Sequence, residues 1–195
     1  MTNIFTGSYT ALITPFKNNK VDYAAFEKFV NWQVKEGTNG LVPCGTTGES
    51  ATLDYEEHDK VIEVCVKAAK GRVPVMAGTG SNSTDEAIFI SKHAEKAGVD
   101  ALLIVAPYYN KPTQEGLFQH YKAINDAVKI PIILYNVPGR AVTDIKNETV
   151  ERLMNLKNVK GLKDATGDLE RISLLRPAFT KKKDFSYLGG DDALA

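Results

Sequence analysis

A lysine at the end of an apolar stretch is the residue of this sequence best suited to covalent chemistry. Lys163 follows Gly161 and Leu162 and precedes a turn rich in Thr and Gly, after which Asp168 is placed to cap a helix. The stretch predicts a strand in which Lys163, Gly161 and Val159 share one face, while Leu162 points to the other. Partial burial lowers the pKa of a lysine amine toward neutrality, and only the free amine attacks a carbonyl carbon. The alternative is an ordinary surface lysine at a strand end.

A tyrosine and an arginine stand at and just after the end of the preceding apolar run. Tyr135 closes the run at residues 130–134, and its phenol is either a core group with its hydroxyl satisfied or an acid/base within reach of Lys163. Arg140 follows a Val-Pro-Gly turn that fixes the backbone. Its guanidinium suits a carboxylate ligand, although a surface salt bridge is the alternative.

A Gly-Thr-Thr-Gly turn at residues 45–48 is typical of an anion-binding loop. Its backbone N–H groups and the hydroxyls of Thr46 and Thr47 suit a carboxylate, although an ordinary Gly-rich turn explains the same residues. Cys44 stands beside the turn, but no His is placed to activate its thiol, so we predict a core residue. The histidines fall in helical segments without ligand spacing, so no metal site is predicted; they are His58, His93 and His120.

Seven apolar runs must supply the strands that position these groups. They recur at a spacing of roughly 30 residues, the size of one strand with its crossover helix. The runs cover residues 9–13, 40–42, 73–77, 101–106, 130–135, 159–163 and 185–188. Amphipathic segments fill the gaps, which indicates parallel strands alternating with helices in an α/β fold.

An eight-stranded (β/α) barrel fits this period better than a doubly wound sheet. The doubly wound sheet is the alternative, but Gly78-Thr79-Gly80 lacks the third glycine of the dinucleotide fingerprint and no GxxxxGK[ST] sequence occurs. In a barrel the functional residues lie on one rim, at the carboxyl ends of the strands. The seventh run ends near Gly189, which leaves no residues for an eighth strand. We therefore expect residues 1–195 to form a single TIM (β/α)8 barrel domain truncated after its seventh strand.

Composition and charge exclude several classes of function. Apolar residues make up 43% of the chain and charged residues 25%, which is ordinary for a globular protein. The 24 basic and 24 acidic residues balance, so no nucleic-acid partner is predicted. No segment approaches membrane-spanning length, and the N-terminus has no basic region followed by an apolar stretch, so neither a membrane partner nor a signal peptide is predicted. Cys44 and Cys65 form no CxxC pair, so a cytoplasmic location is expected.

Six motifs together resemble the dihydrodipicolinate synthases, also called 4-hydroxy-tetrahydrodipicolinate synthases. This family belongs to the Schiff-base aldolase superfamily, which includes N-acetylneuraminate lyase. The motifs are ALITPF at 11–16, GTTGE at 45–49, PYYN at 107–110, YNVPGR at 135–140, GLKDATG at 161–167 and GGDD at 189–192. The similarity extends from about Gly7 to the last residue. The second Thr of GTTGE and the arginine of YNVPGR point to the synthases in particular.

The resemblance implies a Schiff-base mechanism in lysine biosynthesis, with no metal and no organic cofactor. Lys163 would form an imine with pyruvate, and the derived enamine would attack the aldehyde of L-aspartate 4-semialdehyde before cyclisation. Tyr135 would transfer protons at the imine step. Thr47 and Tyr109 would complete a proton relay with Tyr135.

The resemblance also implies two sites for carboxylates. Thr46 and Thr47 would hold the carboxylate of pyruvate, and Arg140 that of the semialdehyde. A related pyruvate-dependent aldolase, acting on N-acetylneuraminate or a 2-keto-3-deoxy sugar acid, would keep Lys163 and Tyr135 but would not need Arg140. A non-catalytic truncated barrel is a further hypothesis, and it predicts no imine with pyruvate.

An oligomer and a regulatory site are implied as well. Family members are usually homotetramers built as dimers of dimers, in which the residue matching Tyr109 reaches into the neighbouring subunit's site. Many members are inhibited by lysine at the dimer interface. The positions that match this lysine site are Ser50, Ala51, Tyr55, His58, Asn82, Glu86 and Tyr108, with Tyr55 where a His is common.

Overall fold

The computed structural model describes residues 5–191, and nine strands and seven α-helices lie in this range. The strands are β1 (Tyr9–Ala11), β2 (Phe16–Lys17), β3 (Lys20–Val21), β4 (Gly40–Val42), β5 (Met76–Gly78), β6 (Ala101–Val105), β7 (Ile132–Asn136), β8 (Val159–Asp164) and β9 (Ser186–Gly189). The helices are α1 (Tyr23–Lys35), α2 (Tyr55–Ala69), α3 (Thr84–Ala97), α4 (Gln114–Ala127), α5 (Pro138–Ala141), α6 (Asn147–Met154) and α7 (Leu169–Lys181). Across these residues, no helix has the length and apolar character needed to cross a bilayer.

Seven of the strands run parallel and neighbour one another in chain order. β5 to β9 form one sheet in the order β5-β6-β7-β8-β9, and β1 pairs with β4. A bridge between Leu41 and Val75 joins β4 to the chain entering β5. A doubly wound sheet reverses its strand order at a switch point, and no such reversal occurs among the described strands. The order is that of a (β/α) barrel, as the period of the sequence predicts. β2 and β3 form a separate antiparallel hairpin.

Aspartate side chains cap α1, α2 and α7, each at the residue before the helix begins. The Asp22 carboxylate accepts a hydrogen bond from the N–H of Ala25 at 2.9 Å, and Asp54 does the same for Glu57 at 2.8 Å. Asp168 accepts from two amides of the first turn of α7, as its position after the lysine motif predicts. Each cap satisfies N–H groups that have no partner within the helix, and so fixes the residue at which a loop ends.

Buried side chains form two clusters on opposite sides of the strands. Leu134 and Leu162 belong to the outer cluster, between the strands and the helices. Leu103, Ile133 and Tyr135 belong to the inner cluster, inside the barrel. Because strand residues alternate between faces, consecutive residues enter different clusters. The inner face is the one that reaches the candidate active site.

β8 departs from this alternation at Lys160. In the pairing with β7, Val159 and Gly161 lie opposite two consecutive residues, so Lys160 is an extra residue. Val159 therefore packs in the outer cluster with Leu162, whereas Gly161 and Lys163 pair with inner-cluster residues. The prediction that Val159 shares a face with Lys163 is wrong, because the bulge breaks the two-residue period.

Candidate active site

Lys163 and Tyr135 lie side by side at the carboxyl ends of neighbouring strands. They are register partners on β8 and β7, and the Nζ atom of Lys163 stands 4.5 Å from the centroid of the Tyr135 ring. Tyr135 is buried, with 7% of its surface exposed, and Lys163 is half-buried. The arrangement puts an amine, which can act as a nucleophile, next to a phenol, which can act as an acid or base.

Two glycines near Lys163 stand where a larger residue would not fit. A Cβ on Gly161 would stand 2.7 Å from Cδ1 of Ile133 and 2.9 Å from the carbonyl oxygen of Ser186. A Cβ on Gly190 would stand 3.0 Å from Cε of Lys163. Larger residues at either glycine would displace a strand or the lysine, because these distances lie inside van der Waals contact. Asp192, the last residue of the GGDD motif, lies outside the described residues.

The Gly-Thr-Thr-Gly turn forms one turn of 3-10 helix after β4. It is held to the end of β1 by Thr14, whose hydroxyl donates to the carbonyl of Gly48 at 2.7 Å. Thr46 and Tyr135 both line a small cavity of about 30 Å³, so the turn and the phenol border a common space. Thr47 is exposed and lies outside the lining of that cavity.

The cysteine beside the turn is a core residue, as predicted. Cys44 is buried, and burial raises the pKa of its thiol, which disfavours the reactive thiolate. The three histidines lie in helices α2, α3 and α4. Between residues 5 and 191, no three His, Cys, Asp or Glu side chains come together as a set of metal ligands.

A larger cavity of about 380 Å³ opens beside the turn. Six of the seven residues that match a lysine site line this cavity, namely Ser50, Ala51, Tyr55, His58, Glu86 and Tyr108. The seventh, Asn82, is adjacent, since its Nδ2 donates to the carbonyl of Tyr108 at 3.2 Å. Thr46 and Arg140 line the same cavity. Residues predicted to bind substrate therefore border the residues that match the lysine site.

Glu86 forms the polar wall of this cavity. Its carboxylate accepts hydrogen bonds from the hydroxyls of Ser81 and Tyr55, and these two bonds lower the pKa of Glu86. The same bond with Glu86 raises the pKa of Tyr55. The contact of Ser81 with Glu86 is not predicted from the sequence, because it depends on how the chain turns between β5 and α3. A carboxylate held in its ionised form suits an ammonium ligand.

Two buried histidines are held neutral. Burial lowers the pKa of His58, in the wall of the larger cavity, to about 4, against an ordinary value of 6.5. Burial also lowers the pKa of His120 on α4 to about 4. The Nδ1 atom of His120 lies 2.9 Å from the hydroxyl of Thr84. Both rings are therefore uncharged at pH 7.

We expect these histidines to make the fold acid-sensitive between pH 6.5 and pH 4. In this window the unfolded chain binds more protons than the folded chain, so the free energy of unfolding falls as the pH falls. The loss from pH 7 to pH 5 is about 2 kcal/mol for each histidine. Urea unfolding at pH 7 and at pH 5 measures this loss of unfolding free energy. In His120→Gln the loss should be smaller by the contribution of one histidine. An unchanged pH dependence in that variant would contradict the assignment.

Tyr109 lies apart from the other predicted catalytic residues. Its side chain is 89% exposed, and its backbone has a φ of 73°. A left-handed backbone is uncommon for a bulky residue and is maintained only where the surroundings require it. Within one subunit the side chain is not brought to Tyr135 or Thr47, and its part in a proton relay stays a prediction.

Arg140 projects from a single helical turn after β7. Pro138 begins this turn, α5, where its fixed φ suits the first helical position. Val142 ends it with a φ of 63°, a strained value for a β-branched residue. The short turn fixes the position of the exposed guanidinium at the edge of the larger cavity.

Comparison with known proteins decides the family. The sequence model of the Dihydrodipicolinate synthetase family matches residues 4–195. The chain belongs to the dihydrodipicolinate synthetase family. A 4-hydroxy-tetrahydrodipicolinate synthase of Bradyrhizobium diazoefficiens is 62% identical over 189 residues, which are 97% of this chain and 63% of that relative. The chain spans less than two thirds of the length of such curated relatives, 63–65% for three of them.

Two solved structures of dihydrodipicolinate synthases share this fold. The chloride-inhibited enzyme of Acinetobacter baumannii, complexed with pyruvate, matches with a TM-score of 0.93 and 51% identity over 97% of this chain and 65% of that chain. The enzyme of Cyanidioschyzon merolae, with lysine bound, matches with a TM-score of 0.95 and 41% identity over 99% of this chain and 66% of that chain. These likenesses confirm the barrel class predicted from the sequence.

Proposed function

We propose that this chain carries the active site of a 4-hydroxy-tetrahydrodipicolinate synthase. The reaction condenses pyruvate with L-aspartate 4-semialdehyde in the diaminopimelate route to lysine. The observation that carries the proposal is the Nζ atom of Lys163, 4.5 Å from the ring centroid of Tyr135 at the carboxyl ends of two paired strands. Membership of the dihydrodipicolinate synthetase family supports the same chemistry.

Imine formation is the step that these two residues perform. The free amine of Lys163 attacks the keto carbon of pyruvate, a C–N bond forms, and water leaves with protons supplied through the hydroxyl of Tyr135. Loss of a methyl proton gives the enamine, which attacks the aldehyde carbon of the semialdehyde. The amine of the semialdehyde then displaces Lys163 as the ring closes. The protonated imine is itself the electron sink, so we propose that no metal or organic cofactor takes part.

The hydroxyl-rich turn provides the site proposed for the pyruvate carboxylate. Thr46 shares a cavity with Tyr135, and Thr47 is adjacent to it in the same turn. We propose that Thr47 and Tyr109 complete a proton relay with Tyr135. The exposure of Tyr109 supports its supply to a neighbouring subunit of a homotetramer built as a dimer of dimers.

The larger cavity is the site proposed for lysine as a feedback inhibitor. Its ionised Glu86 suits the α-ammonium or ε-ammonium group of lysine, and the hydroxyl of Tyr55 donates to that carboxylate. A cytoplasmic location is proposed as well, because both cysteines are buried and free and fit a reducing compartment.

Arg140 distinguishes the proposed synthase from its sister aldolases. In Arg140→Met, we expect the KM for the semialdehyde to rise about 10- to 100-fold, because one charge-assisted pair with a carboxylate is lost. Imine formation with pyruvate should be unchanged. Steady-state turnover with each substrate varied in turn measures both effects. An unaltered KM would favour an aldolase that does not hold a second carboxylate at this position.

Borohydride trapping with pyruvate tests the proposed function. The protein is incubated with pyruvate, reduced, and digested, and the adduct is located by peptide mass. We expect an adduct on Lys163 alone and none when pyruvate is omitted. A folded chain that gives no adduct is then tested in a form extended beyond Ala195. Absence of the adduct from both forms would overturn the proposal.

A further inference from the structure

We propose that Arg171 is a positioning residue, which holds Lys163 and Tyr135 in register through a clamp on the outer face of the barrel. The clamp consists of Arg171 with Asp164, Asp144 and Asn136. None of these side chains belongs to the set assigned above to the substrates. The inference rests on the proposed function only in saying that the clamp positions a catalytic amine and phenol. The contacts that form the clamp do not depend on the substrates.

The clamp begins with the two residues that follow the amine and the phenol. Asn136 comes after Tyr135 on β7, Asp164 comes after Lys163 on β8, and these two residues are themselves register partners. Because alternate residues face opposite sides of a strand, the side chains of Asn136 and Asp164 lie outside the barrel when those of Tyr135 and Lys163 lie inside. Both residues are buried, with 0% and 5% of the residue surface exposed.

Arg171 of α7 joins the two strand ends from outside. Its Nη1 atom lies 3.1 Å from Oδ1 of Asp144, and its Nη2 group donates to the carbonyl of Ile145. Its Nε atom lies 3.0 Å from Oδ2 of Asp164, as an ion pair whose N–H is not aligned for a hydrogen bond. The Arg171 side chain is only 9% exposed and that of Asp164 3%. The planar guanidinium group of arginine carries several N–H groups, so it can contact both carboxylates at once.

Asn136 closes the chain of contacts back to β7. Its Nδ2 donates to Oδ1 of Asp144 at 2.8 Å, and its Oδ1 accepts from the N–H of Ile145 at 3.0 Å. Contacts therefore run without a gap from Asn136 through Asp144 and Arg171 to Asp164. The cross-link spans the two strands directly behind the amine and the phenol.

The clamp also shapes the loop that follows the lysine. Asp164 Oδ1 accepts from the N–H of Thr166 at 2.8 Å, and the Asp164 carbonyl accepts from the N–H of Gly190 at 2.7 Å. Gly190 is the residue whose Cβ would crowd the Lys163 side chain. A buried carboxylate that loses its cation must find other partners or rearrange. Loss of Arg171 is therefore expected to move the strand end that carries the amine.

The variant Arg171→Met tests the clamp. Borohydride trapping of the imine gives two quantities: the maximal trapping rate and the pyruvate concentration for half-saturation. Displacement of a reacting group by about 1 Å can cost about 10²-fold in rate, so we expect the maximal trapping rate to fall about 10- to 100-fold. The pyruvate concentration for half-saturation should change by less than about 3-fold, because the proposed carboxylate site lies on another loop. Arg171→Lys keeps the cation and should recover part of the rate. The rates are measured well below each variant's Tm and scaled to the folded fraction.

Two further variants separate positioning from stability. Asp144 has a side chain that is 41% exposed, so Asp144→Ala should fold and still lower the trapping rate. Arg152→Met, which removes an exposed arginine paired with Glu115 at 2.8 Å, is the matched control and should trap at the wild-type rate. Folded Arg171→Met and Asp144→Ala proteins that both trap at the wild-type rate would overturn the clamp.

Chemical labelling of the Lys163 amine tests the clamp without the use of pyruvate. The rate of acetylation of Lys163 at a fixed pH is followed by peptide mass, in the wild type and in both clamp variants. We expect this rate to change in the variants, while the rate at Lys160 keeps its wild-type value. A wild type that labels but forms no pyruvate adduct would refute the proposed function alone. Labelling rates at Lys163 identical to wild type in both variants would refute the clamp.

Discussion

Replacing Lys163 by arginine is expected to abolish imine formation with pyruvate, and with it turnover. Arginine keeps a positive charge over the ring of Tyr135, but its guanidinium stays protonated at pH 7 and so presents no free amine. We expect the trapped adduct to fall by at least about 10³-fold, to the level seen without pyruvate. Peptide mass after borohydride reduction at saturating pyruvate measures the loss.

The same strand offers a matched control for this substitution. Lys160 lies at the bulge of β8 and pairs with Asp184 at 2.5 Å. Lys160→Arg should keep the adduct at the wild-type level, because arginine preserves that ion pair. An adduct on a different lysine in Lys163→Arg would show that the nucleophile had been assigned to the wrong residue.

Replacing Tyr135 by phenylalanine is expected to slow imine formation by about 10²- to 10⁴-fold, the range for loss of a positioned acid/base. The ring remains beside Lys163, so the packing of the inner cluster is kept and only the hydroxyl is lost. The single-turnover rate of trapping at saturating pyruvate is the measurement. The effect should appear in the maximal rate rather than in the pyruvate concentration for half-saturation.

Tyr121 provides the control for removal of a buried phenol. Its hydroxyl donates to the carbonyl of Ile104 at 3.0 Å, in the outer cluster and away from the amine. Tyr121→Phe should lower the free energy of unfolding by about 1–2 kcal/mol, through the lost hydrogen bond, and leave the trapping rate unchanged. Equal trapping rates in Tyr135→Phe and the wild type would remove Tyr135 from the proton-transfer step.

Local patterns in the sequence determined the strands and helices and the order in which the strands follow one another around the barrel. Apolar runs at a constant period predict seven parallel strands, and the cap at Asp168 predicts where α7 begins. These features depend on residues close together in the chain, which is why a sequence reports them. The position of Lys163 at a strand end, beside the strand of Tyr135, follows from the same period.

Tertiary structure alone decided which side chains touch across elements. The bulge at Lys160 turns Val159 outward, the hydroxyl of Ser81 meets Glu86, and Arg171 pairs with both Asp164 on β8 and Asp144 in the loop before α6. The exposure of Tyr109 also depends on the packed fold rather than on its own motif. Each of these outcomes depends on strand register or on how a helix packs against its neighbours. Both are determined by contacts between residues that are distant in sequence. Hydrophobic period constrains the face of an element but not its register against another element, so the sequence predicted the amine and the phenol but not the clamp behind them.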